Sequence, residues 1–123
     1  DLSGIWMGQI PGRRGNADIS FQLVQQGAQL GGKLYETIGS SPFIEGSVEG
    51  DKLHFVVVAR EQAGNQVNLV TYRYEGTVID GELELTRERT KAVDAVSGSE
   101  FPVNERPNDD NSAPPKIRLK RLL

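Results

Sequence analysis

The chain has no cysteine, one histidine and one tryptophan among its 123 residues. Without cysteine there are no disulfides, no thiolate nucleophile and no Cys-ligated metal. His54 has neither a second histidine nor a cysteine to share an ordinary zinc site. No metal and no cofactor are therefore expected. No apolar run approaches the ~20 residues that a membrane helix needs, so no membrane span is expected. Positive charge is also short. A net charge of −3 and a pI near 5.2 argue against nucleic acid or an anionic membrane as the main partner. No segment shows a helical period of apolar residues. A Gly-x-Ser-x-Gly nucleophile motif and a phosphate-cradling glycine loop are both missing.

What the sequence does have is alternation and turn chemistry. Glu45-Gly46-Ser47-Val48-Glu49-Gly50-Asp51-Lys52-Leu53-His54-Phe55 returns as Glu75-Gly76-Thr77-Val78-Ile79-Asp80-Gly81-Glu82-Leu83-Glu84-Leu85, thirty residues on. Each copy reads as strand, two-residue turn, strand. Gly50-Asp51 and Asp80-Gly81 suit the primed turns, whose positive φ matches strand twist. Two copies of one hairpin argue for an antiparallel meander.

Residues 4–10 open the chain as a strand, with Gly4, Trp6, Gly8 and Ile10 on one face. The two glycines make room for the indole, whose N–H needs a partner once buried. Pro11-Gly12-Arg13-Arg14-Gly15-Asn16 is a loop, read as a solvated hairpin tip in preference to an anion site. Residues 17–26 alternate, with Ile19, Phe21 and Leu23 on one side. After the Gly27-Ala28 turn, residues 30–37 form a third strand with Leu30 and Leu34 inward and Gly32 between. Gly39-Ser40-Ser41-Pro42 breaks the pattern.

The first hairpin copy supplies strands four and five, with Ile44, Gly46 and Val48 inward, then Leu53, Phe55, Val57 and Ala59. Val56 and Val58 on the other face suggest that the outer side of strand five is partly covered. After the Gly64-Asn65 turn, residues 67–78 are long for one strand, and Gly76 is the expected bend. Val70, Tyr72, Tyr74 and Val78 share a face. Strand seven covers residues 82–89, with Leu83 and Leu85 inward.

From Thr90 to Lys116 the pattern dissolves into a long insertion. Ala92, Val93, Ala95 and Val96 allow a short helical turn. Phe101 and Val103 are the residues expected to dock, and the acidic, Pro-rich stretch 107–115 reads as mobile. Its Asp109-Asp110-Asn111 lacks EF-hand spacing and the terminal glutamate, so it reads as solvated linker. Residues 117–122 close the chain as strand eight.

Eight short strands in hairpin order predict a single all-β domain over residues 1–123. The expected form is a closed antiparallel up-and-down barrel, with a β-sandwich as the alternative. Closure removes both sheet edges and favours the barrel. At about eight strands the interior is either filled by side chains or holds one small ligand.

Gly4-x-Trp6-x-Gly8 with Pro11-Gly12-Arg13, Phe21-x-Leu23 and Gly27-x-x-Leu30-x-Gly32 resembles a small all-β domain of unknown function. That domain recurs in secreted proteins of acidobacteria and related soil bacteria. The likeness continues through Ile44-Glu45-Gly46-x-Val48-x-Gly50-Asp51, Tyr74-x-Gly76-x-Val78 and Leu85-Thr86-Arg87, and resumes at 117–122. It implies a fold and an extracytoplasmic location, periplasmic or secreted, and no reaction. The start at Asp1 rather than Met fits a removed signal peptide, and equally a trimmed tag. The arrangement also resembles the calycin group, which includes lipocalins and avidins. There a Gly-x-Trp on the first strand packs under a basic side chain of the last strand. Here Arg121 shares the parity of Ile117 and Leu119 and is expected over Trp6.

Chemistry is weighed on the remaining polar residues. His54 opposes Leu53 and Phe55 in parity and is expected outside. Glu82 and Glu84 share a face, and Glu45 and Glu75 hold matching repeat positions. All four alternate with core residues and are expected to face solvent, away from the paired-carboxylate geometry of a glycosidase. Trp6, Tyr35, Tyr72, Tyr74 and Arg121 are the candidate ligand-binding residues, with Tyr72 and Tyr74 first and Arg73 nearby. No catalytic residue is assigned. The leading expectation is a non-catalytic secreted module serving as an accessory or interaction domain. The alternative is a lipocalin-like binder of a small, partly apolar molecule, with the 90–116 segment as a lid. The weakest is a hydrolase using surface carboxylates. The partners left open are a small molecule or another protein chain.

Overall fold

The computed structural model describes residues 1–12, 15–36, 39–101 and 116–122. The Arg13-Arg14 tip, Thr37 at the end of the third strand, Val103 and the 107–115 stretch with its Asp109-Asp110-Asn111 lie outside the described residues.

Among the described residues nine strands are formed: β1 (Gly4–Gly12), β2 (Gly15–Gln26), β3 (Gln29–Glu36), β4 (Gly39–Glu49), β5 (Lys52–Ala63), β6 (Gln66–Ile79), β7 (Glu82–Asp94), β8 (Glu100–Phe101) and β9 (Lys116–Arg121). From β1 to β7 each strand pairs antiparallel with the next. β9 then lies between β7 and β1 and closes the ring. The protein is an eight-stranded antiparallel β-barrel, a meander that shuts on itself. The two-residue β8 stands outside that ring, paired only with Ala92 and Val93.

The hairpin turns behave as their residues require. Asp80 and Gly81 both take positive φ, 53° and 79°, and Gly50 takes 65°, the conformations that suit right-twisted strands. These turns and Gly27-Ala28 gather at the end of the barrel where β1 begins, here called the Trp6 end. The opposite end, where β5 runs out and β6 starts, is called the Glu61 end.

The core is aromatic at its centre. Phe55 stacks on Phe43 at 4.3 Å and on Tyr74 at 4.9 Å between ring centroids, while Phe21 meets both Phe55 and Tyr74 edge-on at 5.3 Å. Offset stacks and edge contacts are the arrangements that ring quadrupoles favour. Around them, Leu23, Val57, Val70, Leu83, Leu85, Ile117 and Leu119 are fully buried.

Three expectations are corrected. Ile44 is not inward but 61% exposed. The β4–β5 register shifts between Phe43 and Glu45, so Ile44 is the extra residue of a bulge, and Phe43 takes the inward place. Ala92 and Val93 belong to a strand, and only Ala95 and Val96 lie in a single turn, closed by the Gly98 N–H on the Asp94 carbonyl at 2.9 Å. β7 runs on to Asp94, and a second bulge opposite Thr71 and Tyr72 leaves Thr90 unpaired. That extra residue shifts the parity by one and brings Ala92 inward, 1% exposed. Finally, Gly8 leaves room for backbone rather than for the indole. A Cβ there would collide with the Arg118 carbonyl and lie 2.8 Å from the Leu119 side chain, so glycine is what lets β9 close on β1.

Candidate functional site

The inward row of β5 begins Leu53, Phe55, Val57, Ala59 and continues to Glu61. The inward row of β7 begins Leu83, Leu85 and continues to Arg87 and Arg89. Both rows turn from apolar to charged as they approach the Glu61 end. Tyr72, cross-strand from both Val57 and Arg89, stands between them on β6. The result is a polar cluster on the inner wall of an otherwise apolar barrel.

Tyr72 holds the cluster together. Its hydroxyl donates a short hydrogen bond to Glu61 Oε2. The Arg87 guanidinium lies over its ring, 4.4 Å from the centroid. Arg89 Nη2 approaches the other Glu61 oxygen at 3.7 Å, an ion-pair contact longer than a hydrogen bond. Burial, reinforced by the Glu61 carboxylate, pushes the Tyr72 hydroxyl well above its ordinary pKa. The arginines oppose that shift and are outweighed. Tyr72 therefore stays a neutral donor at any physiological pH.

The two arginines are less well matched. Arg89 Nε is sheltered from solvent and has no hydrogen-bond partner among the described residues. Arg87 has no carboxylate within ion-pair distance among them. Among the described side chains, two guanidiniums and one carboxylate share this wall.

The candidate residues read from the sequence do not meet in one pocket. Trp6 is buried at the opposite end, donates Nε1–H to the Leu2 carbonyl at 2.9 Å, and carries the Arg121 guanidinium 4.8 Å above its ring. Arg121 also donates to the Asp1 carbonyl at 2.7 Å. The expected Trp–Arg pair is present, as a plug. Tyr74 is fully buried within the aromatic stack. Tyr35 is corrected to the outer face, 36% exposed, because Leu34 occupies the inward position; Lys33 lies 5.3 Å from its ring centroid. Only Tyr72 belongs to the charged cluster. Arg73, expected beside it, points outward and pairs with Glu75 at 2.8 Å.

Sequence reasoning missed Glu61, Arg87 and Arg89. The signal was parity, since each continues an apolar row by steps of two. It was passed over because charged residues at strand ends are ordinarily solvated.

The outer face carries a second polar group. Ser47, His54 and Glu75 are direct cross-strand neighbours on β4, β5 and β6. Ser47 Oγ lies 3.0 Å from His54 Nδ1. They line a shallow groove of about 560 Å³ with Thr77, Glu84 and Thr86. Glu75 is engaged by Arg73, and Glu84 with Glu82 by Arg118 at 3.2 and 3.1 Å. As expected, His54 and the strand glutamates face away from the core. Among the described residues no cluster of His, Asp and Glu has metal-binding geometry. No helix there is long and apolar enough to cross a membrane, which does not bear on membrane β-barrels.

No family model matches the chain, and neither a curated protein nor a solved structure matches it.

Proposed function

We propose that the protein is a non-catalytic β-barrel module of calycin-like type, that it works by binding, and that the Glu61 end is its binding end. We also propose that it acts outside the cytoplasm, as its resemblance to secreted all-β domains implies. The reading rests on one observation above all: charged side chains occupy inward positions toward the Glu61 end, beside Tyr72. Glu61 and Arg89 stay partly exposed there, 41% and 34%, so a ligand arriving from solvent can reach them. Aromatic and aliphatic packing accounts for the rest of the interior, and tight turns with the Trp6 plug account for the other end.

Binding is favoured over catalysis by the way the carboxylates are held. Glu61 is engaged on both oxygens, by Tyr72 and Arg89. Glu82 and Glu84 are neutralised by Arg118 on the outer face. Neither arrangement resembles an acid and a base facing each other across a cleft. The Ser47–His54 contact joins a hydroxyl and an imidazole on an open strand surface, with Glu75 bonded to Arg73 instead of orienting the histidine. A nucleophile–base pair needs that third group and an oxyanion site. Of the two non-catalytic expectations, the ligand binder is preferred to a purely structural accessory domain, because partly exposed charged side chains gather at one end of the barrel.

The test is a fragment screen read by NMR on the full chain. Binders should shift the side-chain resonances of Tyr72, Arg87 and Arg89. Shifts confined to the outer face, or no shifts from a broad fragment set, would overturn the assignment.

A further inference from the structure

We infer that the outer face of β4 to β7 is an interface between two copies of this chain. The surface lies on the outside of the barrel wall, so the inference stands apart from binding at the Glu61 end.

The pattern of outward side chains supplies the first argument. Phe55, Val57 and Ala59 point inward on β5, and Val70 and Tyr72 on β6, so Val56, Val58, Leu69 and Thr71 point outward. Ala92 is inward on β7, which turns Val93 out. The bulge on β4 turns Ile44 out beside them, 61% exposed. Val56, Val58, Leu69, Thr71 and Val93 are each partly exposed. A solvated sheet face alternates polar residues with the core row, as Glu82, Glu84 and Arg118 do on β7 and β9. A joined set of exposed aliphatic side chains marks an interaction surface instead.

Register supplies the second. Ile44 lies beside the Val56–Val57 step of β5, Val58 is cross-strand from Thr71, and Leu69 is cross-strand from Val93. These side chains therefore form a band that crosses the strands diagonally, from Ile44 on β4 to Val93 on β7. Arg60 lies on one flank, cross-strand from Leu69. Glu88 lies on the other, cross-strand from Arg73, which itself faces Val56. A two-fold axis running along the band lays it on its own copy and exchanges the flanks. Arg60 of one copy then meets Glu88 of the other, and the same contact repeats in reverse.

Charge supplies the third, and it selects a second copy as the occupant. Arg60 and Glu88 are both exposed, and neither has an ion-pair partner among the described residues. The other cations beside the band are taken up locally, Arg73 by Glu75 at 2.8 Å and Lys91 by Glu100 at 3.7 Å. One unpaired charge of each sign, on opposite flanks of an apolar band, is self-complementary. A partner of a single charge sign would leave one of the two facing its like.

The experiment is sedimentation velocity on the full chain over a dilution series. The chain should dimerise reversibly, with a dissociation constant in the micromolar range. Arg60→Glu alone and Glu88→Arg alone should each weaken the dimer about tenfold or more, because each sets like charges against one another. The double variant exchanges the two signs and should return the dissociation constant to within about threefold of the original. That rescue cannot come from damage to the fold. Val58→Asp, at the middle of the band, should leave only monomer, with an unfolding midpoint close to that of the unaltered chain. A chain that stays monomeric at every concentration overturns the inference. So does a dimer that both single charge reversals leave unchanged, or one that the double variant fails to restore.

Discussion

The two ends of this barrel are built on opposite plans. At the Trp6 end, three short turns close the strands, the indole is buried with its N–H satisfied by Leu2, and Arg121 caps it from the last strand. The indole N–H finds a local partner four residues back, and the Arg121 guanidinium reaches Trp6 and the Asp1 carbonyl once the last strand closes the barrel. At the Glu61 end, the inward residues shrink to Ala59, Val70 and Ala92 and then become charged. Among the described residues two arginines face one glutamate, and the sheltered Arg89 Nε–H has no hydrogen-bond partner. Packing explains the first end completely. At the second, charged side chains pair with Tyr72 and with one another while staying partly exposed. The contrast separates residues that make the barrel from residues that equip it.

The comparison predicts where substitutions hurt. The largest effect belongs to Trp6→Ala, which removes the biggest buried side chain and should cost about 3–5 kcal/mol in denaturant unfolding. A cost under about 1 kcal/mol would show that the plug does not hold the end shut. Next comes Gly8→Ala. The new methyl meets the Arg118 carbonyl, so β9 must move away from β1, at about 1–3 kcal/mol. A neutral result would mean that closure does not depend on that approach.

At the Glu61 end the effects are smaller. Tyr72→Phe should cost about 1 kcal/mol, the net worth of its hydrogen bond to Glu61, with the ring stack kept. The pH dependence has a definite sign. Tyr72 ionises at higher pH in the folded protein than in the unfolded chain, where tyrosine loses its proton near pH ~10. The folded state thus binds more protons above that pH, and stability must fall as pH rises past ~10. Spectroscopic titration of tyrosinate should show Tyr72 resisting ionisation until unfolding, and Tyr72→Phe should reduce the resistant fraction by one tyrosine. Full ionisation of all three tyrosines in the native state near the ordinary pKa would contradict the sheltered pair. The smallest effect belongs to Arg121→Ala, about 0.5–1 kcal/mol for an exposed cation over an indole, measurable in the same unfolding assay.

Much of the barrel was legible beforehand because strands announce themselves by a period of two. The paired hairpins, the Asp80-Gly81 turn and the inward Ile19-Phe21-Leu23 row all follow from local spacing, whereas the Trp6–Arg121 contact was implied by the calycin resemblance. The errors have one origin. At Ile44 and Thr90 a single bulged residue inverts the alternation, and no local feature of the sequence marks either place. Ile44 was therefore expected inside, and Ala92 was taken out of the strand altogether. The charged cluster was hidden for a related reason. Glu61 and Arg89 lie 28 positions apart (89 − 61), on strands separated by β6, and each looks like an ordinary polar strand end when read alone.

The amino-acid order by itself determined the strands, their turns and the closing of the meander, because those depend on side-chain alternation and on the backbone freedom of a few turn residues. The three-dimensional arrangement alone decided which side chains share the Glu61 end. That depends on register across three strands and on two one-residue bulges, and register is settled by the packing of the whole barrel.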